Sequence, residues 1–176
     1  MMNTLDSFRD LYRHMDWADA KIWQCIVESP AAKSDATIRT RIHHIHMVQR
    51  AFLNAWRRIP HTSGAGKDLS LADQLPWGKE YHAMASEYLK TVDPATLDSE
   101  MILPWSRIAM ERLGREASAT TLGETILQAV MHSLYHRGQI SARLKEVGAE
   151  PPLTDYIVWL WLGRPPAQWP PDSTSI

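Results

Sequence analysis

The chain holds a single cysteine, Cys25, in 176 residues. It can form no internal disulfide and no thiolate-rich metal site, which fits a reducing compartment and leaves histidine and carboxylate as the metal ligands on offer. A surplus of either charge is also missing: 19 Lys and Arg stand against 20 Asp and Glu, a formal net charge of -1. Without basic excess the electrostatic footprint that a phosphate backbone demands is absent, so nucleic acid is not an expected partner. Long apolar runs are lacking too. The longest, Tyr156 to Leu162, falls far short of the roughly 20 residues that cross a bilayer, and the start MMNTLDSFRD has no basic-then-apolar leader pattern. These absences point to a cytoplasmic protein that engages no membrane. What remains, 44% apolar and 22% charged, is the balance of one soluble globular domain.

Apolar residues recur at threes and fours along most of the chain, the period of an amphipathic helix. A first helix runs from Thr4 to Val27 and is stopped by Ser29-Pro30, because proline disfavours helical backbone in the residue before it. Asp35 or Thr37 caps a second. Its seam, Ile38, Ile42, Ile45, Gln49, Phe52, Trp56 and Ile59, alternates steps of four and three and carries one polar member. PHTSGAGK, from Pro60 to Lys67, is a loop. Leu69 to Leu89 forms a third helix with Pro76 near its start or at a break. Val92 to Thr121 is the stretch with no clear period: Met101-Ile102-Leu103 resembles a short strand, Ile108 to Arg115 a second strand or a helical turn, and the whole is read as a long crossover.

From Thr121 to Val147 the period returns through Ile126, Val130, Ser133, Arg137, Ile140 and Leu144. Gly148 stands where a left-handed residue ends a helix, and Pro151-Pro152 forbids continuation. Thr154 and Asp155 can cap a further short helix over Tyr156 to Leu162. The fold class is therefore all-α, a four-helix bundle with a long crossover connection, over residues 1–163, followed by a proline-rich tail over 164–176. Inside the fourth helix, Gly138 is expected to mark a close helix approach, since a mid-helix glycine otherwise costs about 1 kcal/mol.

Two histidine clusters stand out. His132 and His136 are four apart, which stacks their rings on one helix face, near enough to share an ion. At about 100° per residue both fall on the same flank of the buried seam. In the second helix, His43-His44-Ile45-His46, the same arithmetic turns His43 toward solvent and sets His44 and His46 on opposite flanks of Ile45. Helix geometry does not choose between those two. Either one would complete three imidazoles from facing helices, which leaves a position open for water or substrate, as catalytic sites require.

The run HSLYHRGQ, from His132 to Gln139, followed by Gly148, Pro151-Pro152 and Asp155-Tyr156, resembles the fourth helix of the DinB/YfiT family of metalloenzymes. Ile42-His43-His44-Ile45 with Phe52-Leu53 resembles the family's second helix, and Tyr12 to Trp23, with Trp17-Ala18-Asp19, its first. Gln49 stands where many members have Glu, and Met131 where Asn often precedes the first histidine of the pair. The resemblance implies a four-helix bundle with a long crossover between helices two and three or near the third, and a divalent metal ion held by His44, His132 and His136. Zn or Ni is the expected metal, and Fe is compatible with the same ligands.

Members of that family include transferases and an isomerase that use low-molecular-weight thiols, as well as chains read as hydrolases. The function this implies is metal-dependent activation of a small thiol or water for transfer or hydrolysis, with a small-molecule partner and a homodimeric assembly. No catalytic residue beyond the ligands is assigned. Cys25, remote from any basic cluster, reads as a packing residue and not a nucleophile. Arg41, Arg137 and Arg143 are candidates, by position, for holding a cosubstrate's carboxylates. The competing reading is a non-catalytic, stress-associated metal-binding or interaction protein.

Overall fold

The computed structural model describes residues 4–60, 66 and 69–171. Four long helices make the body: α1 (Thr4–Glu28), α3 (Ala36–Trp56), α4 (Leu71–Thr91) and α6 (Leu122–Glu146). A five-residue helix, α2 (Pro30–Ser34), fills the turn that follows α1. Proline at its first position and the Ser29 side chain accepting from the Ala32 amide explain why it forms despite its length. Asp35 then caps α3 through the Ile38 amide. Thr121 and Glu124 close a reciprocal capping box at the start of α6. Gly148, at φ +82°, ends that helix as expected.

Each of α1 and α3 packs against both α4 and α6, so the four helices form a closed ring in the order α1, α4, α3, α6. The core falls into two large apolar clusters and a small third one of Trp17, Ala18 and Trp159. Of the large two, one joins Leu5, Phe8 and Tyr12 to Phe52 and Trp56, to Ala85 and Leu89, and to Leu122 and Ile126. The other joins Ile22 and Ile26 to Ile38 and Ile42, to Leu71 and Leu75, and to Ile140 and Leu144. The start of α1 thus meets the ends of α3 and α4 and the start of α6, so the helices run up, down, down, up. α3 and α4 are parallel. The connection that must cross the length of the bundle is therefore 57–70, half of it outside the described residues; it lies between the second and third long helices, as the family resemblance implies, and not at 92–121, as the missing period there suggested.

Residues 92–121 instead make an excursion at one end. They hold a 3-10 turn (Pro94–Thr96), β1 (Glu100–Met101), α5 (Ser106–Leu113) and β2 (Thr120–Thr121), with β1 and β2 paired antiparallel. The strand expected at 101–103 is shorter and begins one residue earlier, and 108–115 resolves to the helical alternative. Pro76 lies inside α4, in its second turn. Ile59 falls outside α3 and is exposed. The short helix α7 (Tyr156–Trp161) follows Asp155, whose side chain makes no capping bond. The tail beyond it lies along the bundle. Trp169 packs against the second cluster and Ala167 against Trp17 and Trp159.

Gly138 does not mediate helix packing: a Cβ there would meet nothing within 4 Å. Gly78 does. A Cβ on it would lie 2.6 Å from Cε1 and 2.7 Å from Cδ2 of His46, well inside contact. Among the described residues no helix is long and apolar enough to cross a membrane.

Candidate metal centre

Between the two large apolar clusters each long helix contributes polar side chains to one transverse layer. Asp19 from α1, His46 and Gln49 from α3, His82 from α4, and Ser133 and Arg137 from α6 are all buried. Such groups tolerate burial only when paired. The Arg137 guanidinium donates to Oδ1 of Asp19 at 2.8 Å. Oδ2 of Asp19 accepts from the Gln49 amide at 2.8 Å and from Nε2 of His82 at 3.0 Å. Gln49 also donates to Oγ of Ser133, 3.0 Å away, and its Oε1 lies 2.8 Å from Nδ1 of His46. Nε2 of His46 accepts from the Trp23 indole at 2.9 Å. Burial alone would raise the Asp19 pKa, but Arg137 first and His82 second outweigh it and hold the carboxyl well below its usual range. Burial dominates at His46, whose pKa falls to about 4.

The seam residue Ser133 lies inside this layer, so its neighbour His132 stands at the layer's outer edge. The seam residue Arg137 does the same for His136. α3 and α6 make the most extensive helix pairing of the bundle, and across it His44 meets both. Ring centroids are 5.0 Å apart for His44 and His132, 4.6 Å for His44 and His136, and 4.4 Å for His132 and His136. One ring nitrogen from each lies within 4.8 Å of the others. All three side chains are half-buried.

This donor set fits a divalent cation. Desolvation, then His136 and His44, push the His132 pKa down to about 4. Desolvation followed by His136 and His43 lowers that of His44. Both rings are therefore neutral at pH 7, with lone pairs to give. Nδ1 of His136 lies 3.0 Å from Oε1 of Gln139. The amide oxygen is an acceptor, so the proton sits on Nδ1 and Nε2 is left as the ligand atom. Nδ1 of His132 is sealed from water and finds no partner among the described residues. Leaving such an atom unpaired costs about 1–3 kcal/mol.

A second group, Asp19, His46 and His82, also has donor atoms within 4.8 Å of one another. Its atoms are committed to the hydrogen bonds above: both nitrogens of His46, Nε2 of His82 and both oxygens of Asp19. That set holds the core together and offers little to an ion. The choice that helix geometry left open between His44 and His46 is settled here in terms of place. His44 joins His132 and His136, while His46 turns into the layer.

With the geometry in view, comparison with known proteins adds one decisive observation. The family model described as DinB family matches residues 1–168. The chain belongs to the DinB family. Protein DinB of Bacillus subtilis (strain 168) is 24% identical over 161 residues, which cover 88% of this chain and 94% of that one. No solved structure matches the chain. The family match reaches into the proline-rich tail, in keeping with the way that tail lies on the bundle.

Other expectations for this DinB-family chain resolve residue by residue. His43 is not turned to open solvent. It is half-buried, its Nε2 2.6 Å from the Gly66 carbonyl and its ring stacked on Trp77. Arg137 cannot meet a substrate carboxylate, being 1% exposed and turned to Asp19. Arg143 is paired with Asp35 and Glu146, and Arg41 donates to the Gln139 carbonyl at 2.8 Å. Cys25 is half-buried, with its pKa raised by desolvation and then by Glu28 and Glu150. The thiol stays protonated and is no nucleophile. His82 escaped the sequence reading altogether. Its one trace there is a titratable residue beside Tyr81 in the apolar stripe of α4.

Proposed function

We propose that His44, His132 and His136 hold a divalent metal ion and that the chain is a metal-dependent enzyme acting on a small thiol or on water. The observation that supports it best is the convergence of three imidazoles from two helices, with Nδ1 of His132 left without a partner among the described residues. Three protein ligands leave room for a substrate atom. When bound, the ion supplies the charge that lets a thiol or water ionise near neutral pH, for transfer to an electrophile or for hydrolysis.

The chain's own residues do the rest. Gln139 orients His136, and the buried layer fixes α6 against α3, so the three rings are presented in register. Tyr135 packs edge-on against His136, with ring centroids 5.0 Å apart, and screens one side of it. The test is metal content of untagged protein, wild type beside His44→Ala, His132→Ala and His46→Gln. The first two variants are expected to lose the ion and the third to keep it. Unchanged metal in both alanine variants would reject the ligand set. A screen of several thiols with a bimane electrophile then reads the chemistry, with an expected rate that depends on metal and vanishes in His132→Ala.

The proposal extends to assembly. On the outer face of α6, Leu127, Met131, Leu134 and Tyr135 are exposed by 41%, 53%, 47% and 66%, and Gly138 continues the row with open space above it. A contiguous apolar row of this kind marks a contact surface, and we assign it to a second copy of the chain. Sedimentation equilibrium is expected to report a dimer for wild type and a monomer for Leu134→Glu.

A further inference from the structure

The helix α5 has eight residues and buries none of its side chains. A helix this short has little stability of its own, since about 12–15 residues are needed for even marginal helicity in water. Its inner side nevertheless faces a feature of the fold. Between α5 and the paired strands β1 and β2 lies a hollow of about 330 Å³, walled by Met101, Leu103, Trp105, Ala109, Met110 and Ala119. Met101, Leu103 and Trp105 pack on the first core cluster, and the Trp105 ring meets Phe52 edge-on, with centroids 5.1 Å apart. One wall is therefore anchored to the bundle, and the other is α5 itself.

At about 100° per residue Ala109, Met110 and Leu113 share the side of α5 that carries its wall residues. Leu113 is 65% exposed there. The opposite side, where Arg107 pairs with Glu111 and Arg112 stands exposed beside Ile108, belongs to solvent. An apolar stripe turned to an apolar hollow gains its burial when a molecule lies between them. A space of this size suits a small molecule and is too narrow for a partner's helix, about 10 Å across. Among the described lining the one charged residue, Glu100, is exposed, so the wall offers no cation to an anionic ligand. Trp105 offers a ring to an aromatic body, and Met101 and Met110 adapt their shape and add sulfur–aromatic contact.

We propose that the hollow under α5 is a binding site for a small uncharged aromatic molecule, separate from the three histidines, and that α5 is the flap that closes on it. The flat body lies between Trp105 and Met110, and Leu113 folds over its edge. Phe52, on which Trp105 rests, follows His44 by eight residues, roughly 12 Å along α3, so the occupant does not touch the metal centre. No bond is made or broken there, and binding does not depend on a metal ion.

The test is a nitrogen–proton NMR titration of the full chain in EDTA, with naphthylmethanol, its anionic counterpart naphthoate and the aliphatic cyclohexylmethanol as probes. Naphthylmethanol is expected to bind saturably, one molecule per chain, with shifts centred on the Trp105 indole and the α5 amides. Naphthoate should bind roughly tenfold more weakly, because its carboxylate gives up water for no partner, and cyclohexylmethanol roughly fivefold more weakly. At ten times the Kd of naphthylmethanol, hydrogen exchange of the α5 amides should slow roughly tenfold. Ala109→Trp fills the hollow from an exposed position and should abolish binding. Met110→Asp puts a charge in the wall and should weaken it roughly tenfold; if the tryptophan variant does not fold, this one carries the test alone. Absence of saturable binding, shifts centred on the outer face of α6, or binding untouched by the variants would overturn the proposal. Protection of α5 that rises with chain concentration in the absence of probe would overturn it too, and would give the stripe to a second copy of the chain.

Discussion

Gln49 is buried at the centre of the polar layer, and its amide ties three helices together. One side-chain nitrogen donates to both Asp19 and Ser133 while the oxygen faces Nδ1 of His46. A glutamate keeps the acceptor, loses both donors and sets a second carboxylate against Asp19. Gln49→Glu is therefore expected to cost roughly 3 kcal/mol, read as a lowered urea midpoint at pH 7.5. An unchanged midpoint would show the amide to be dispensable. The three proposed ligands were legible as residues because histidine pairs at helical spacing are rare and chemically pointed. Helix geometry could not choose between His44 and His46, since both flank Ile45 symmetrically, and only the family resemblance pointed to His44. What separates them is the neighbour each one meets. Trp23 and Gln49 claim both nitrogens of His46, while His44 finds two more imidazoles.

Four long helices could be read from period alone, with ends near those observed, because each must bury one stripe and expose the rest. Caps sharpened the boundaries: Asp35, Thr121 and Gly148 act where a lone helix end needs a partner. The short elements between 92 and 121 were harder, since α5 buries none of its side chains and an element without an apolar stripe leaves no periodic trace. Glycines misled in both directions. Gly138, inside the motif, packs on nothing, while Gly78, outside it, lets α4 approach the His46 ring. His46 cannot swing away because both ring nitrogens are bonded. Gly78→Ala is accordingly expected to destabilise the fold by roughly 2 kcal/mol, whereas Gly138→Ala should be neutral or slightly stabilising. Paired thermal melts of the two variants check this, and equal melting temperatures would contradict it.

Across the whole molecule the polar layer ties stability to pH. His46 has a folded pKa of about 4, below the ordinary value near 6.5, and burial lowers His14 in the same direction. A group depressed on folding contributes stability above its unfolded pKa and surrenders it as the pH falls toward the folded one. Stability should therefore decline from pH 6.5 downward, by up to about 1.4 kcal/mol per pH unit for each fully coupled group. Asp19, also depressed, adds its loss below the ordinary carboxylate range. Urea midpoints measured in EDTA from pH 7.5 to pH 4.5 are expected to fall steadily, and a flat profile between 6.5 and 5 would contradict the buried neutral histidines.

By itself the amino-acid order determined the number and extent of the long helices, the side of each that turns inward, and the histidines worth watching, all consequences of local period and side-chain chemistry. Tertiary structure decided the rest. It made α3 and α4 parallel, it directed His46 inward and His44 outward, and it laid Trp105 against Phe52 of α3. Those outcomes depend on which helix lies beside which. That is set by the summed packing of four apolar stripes and one shared polar layer, and no local stretch of chain encodes it.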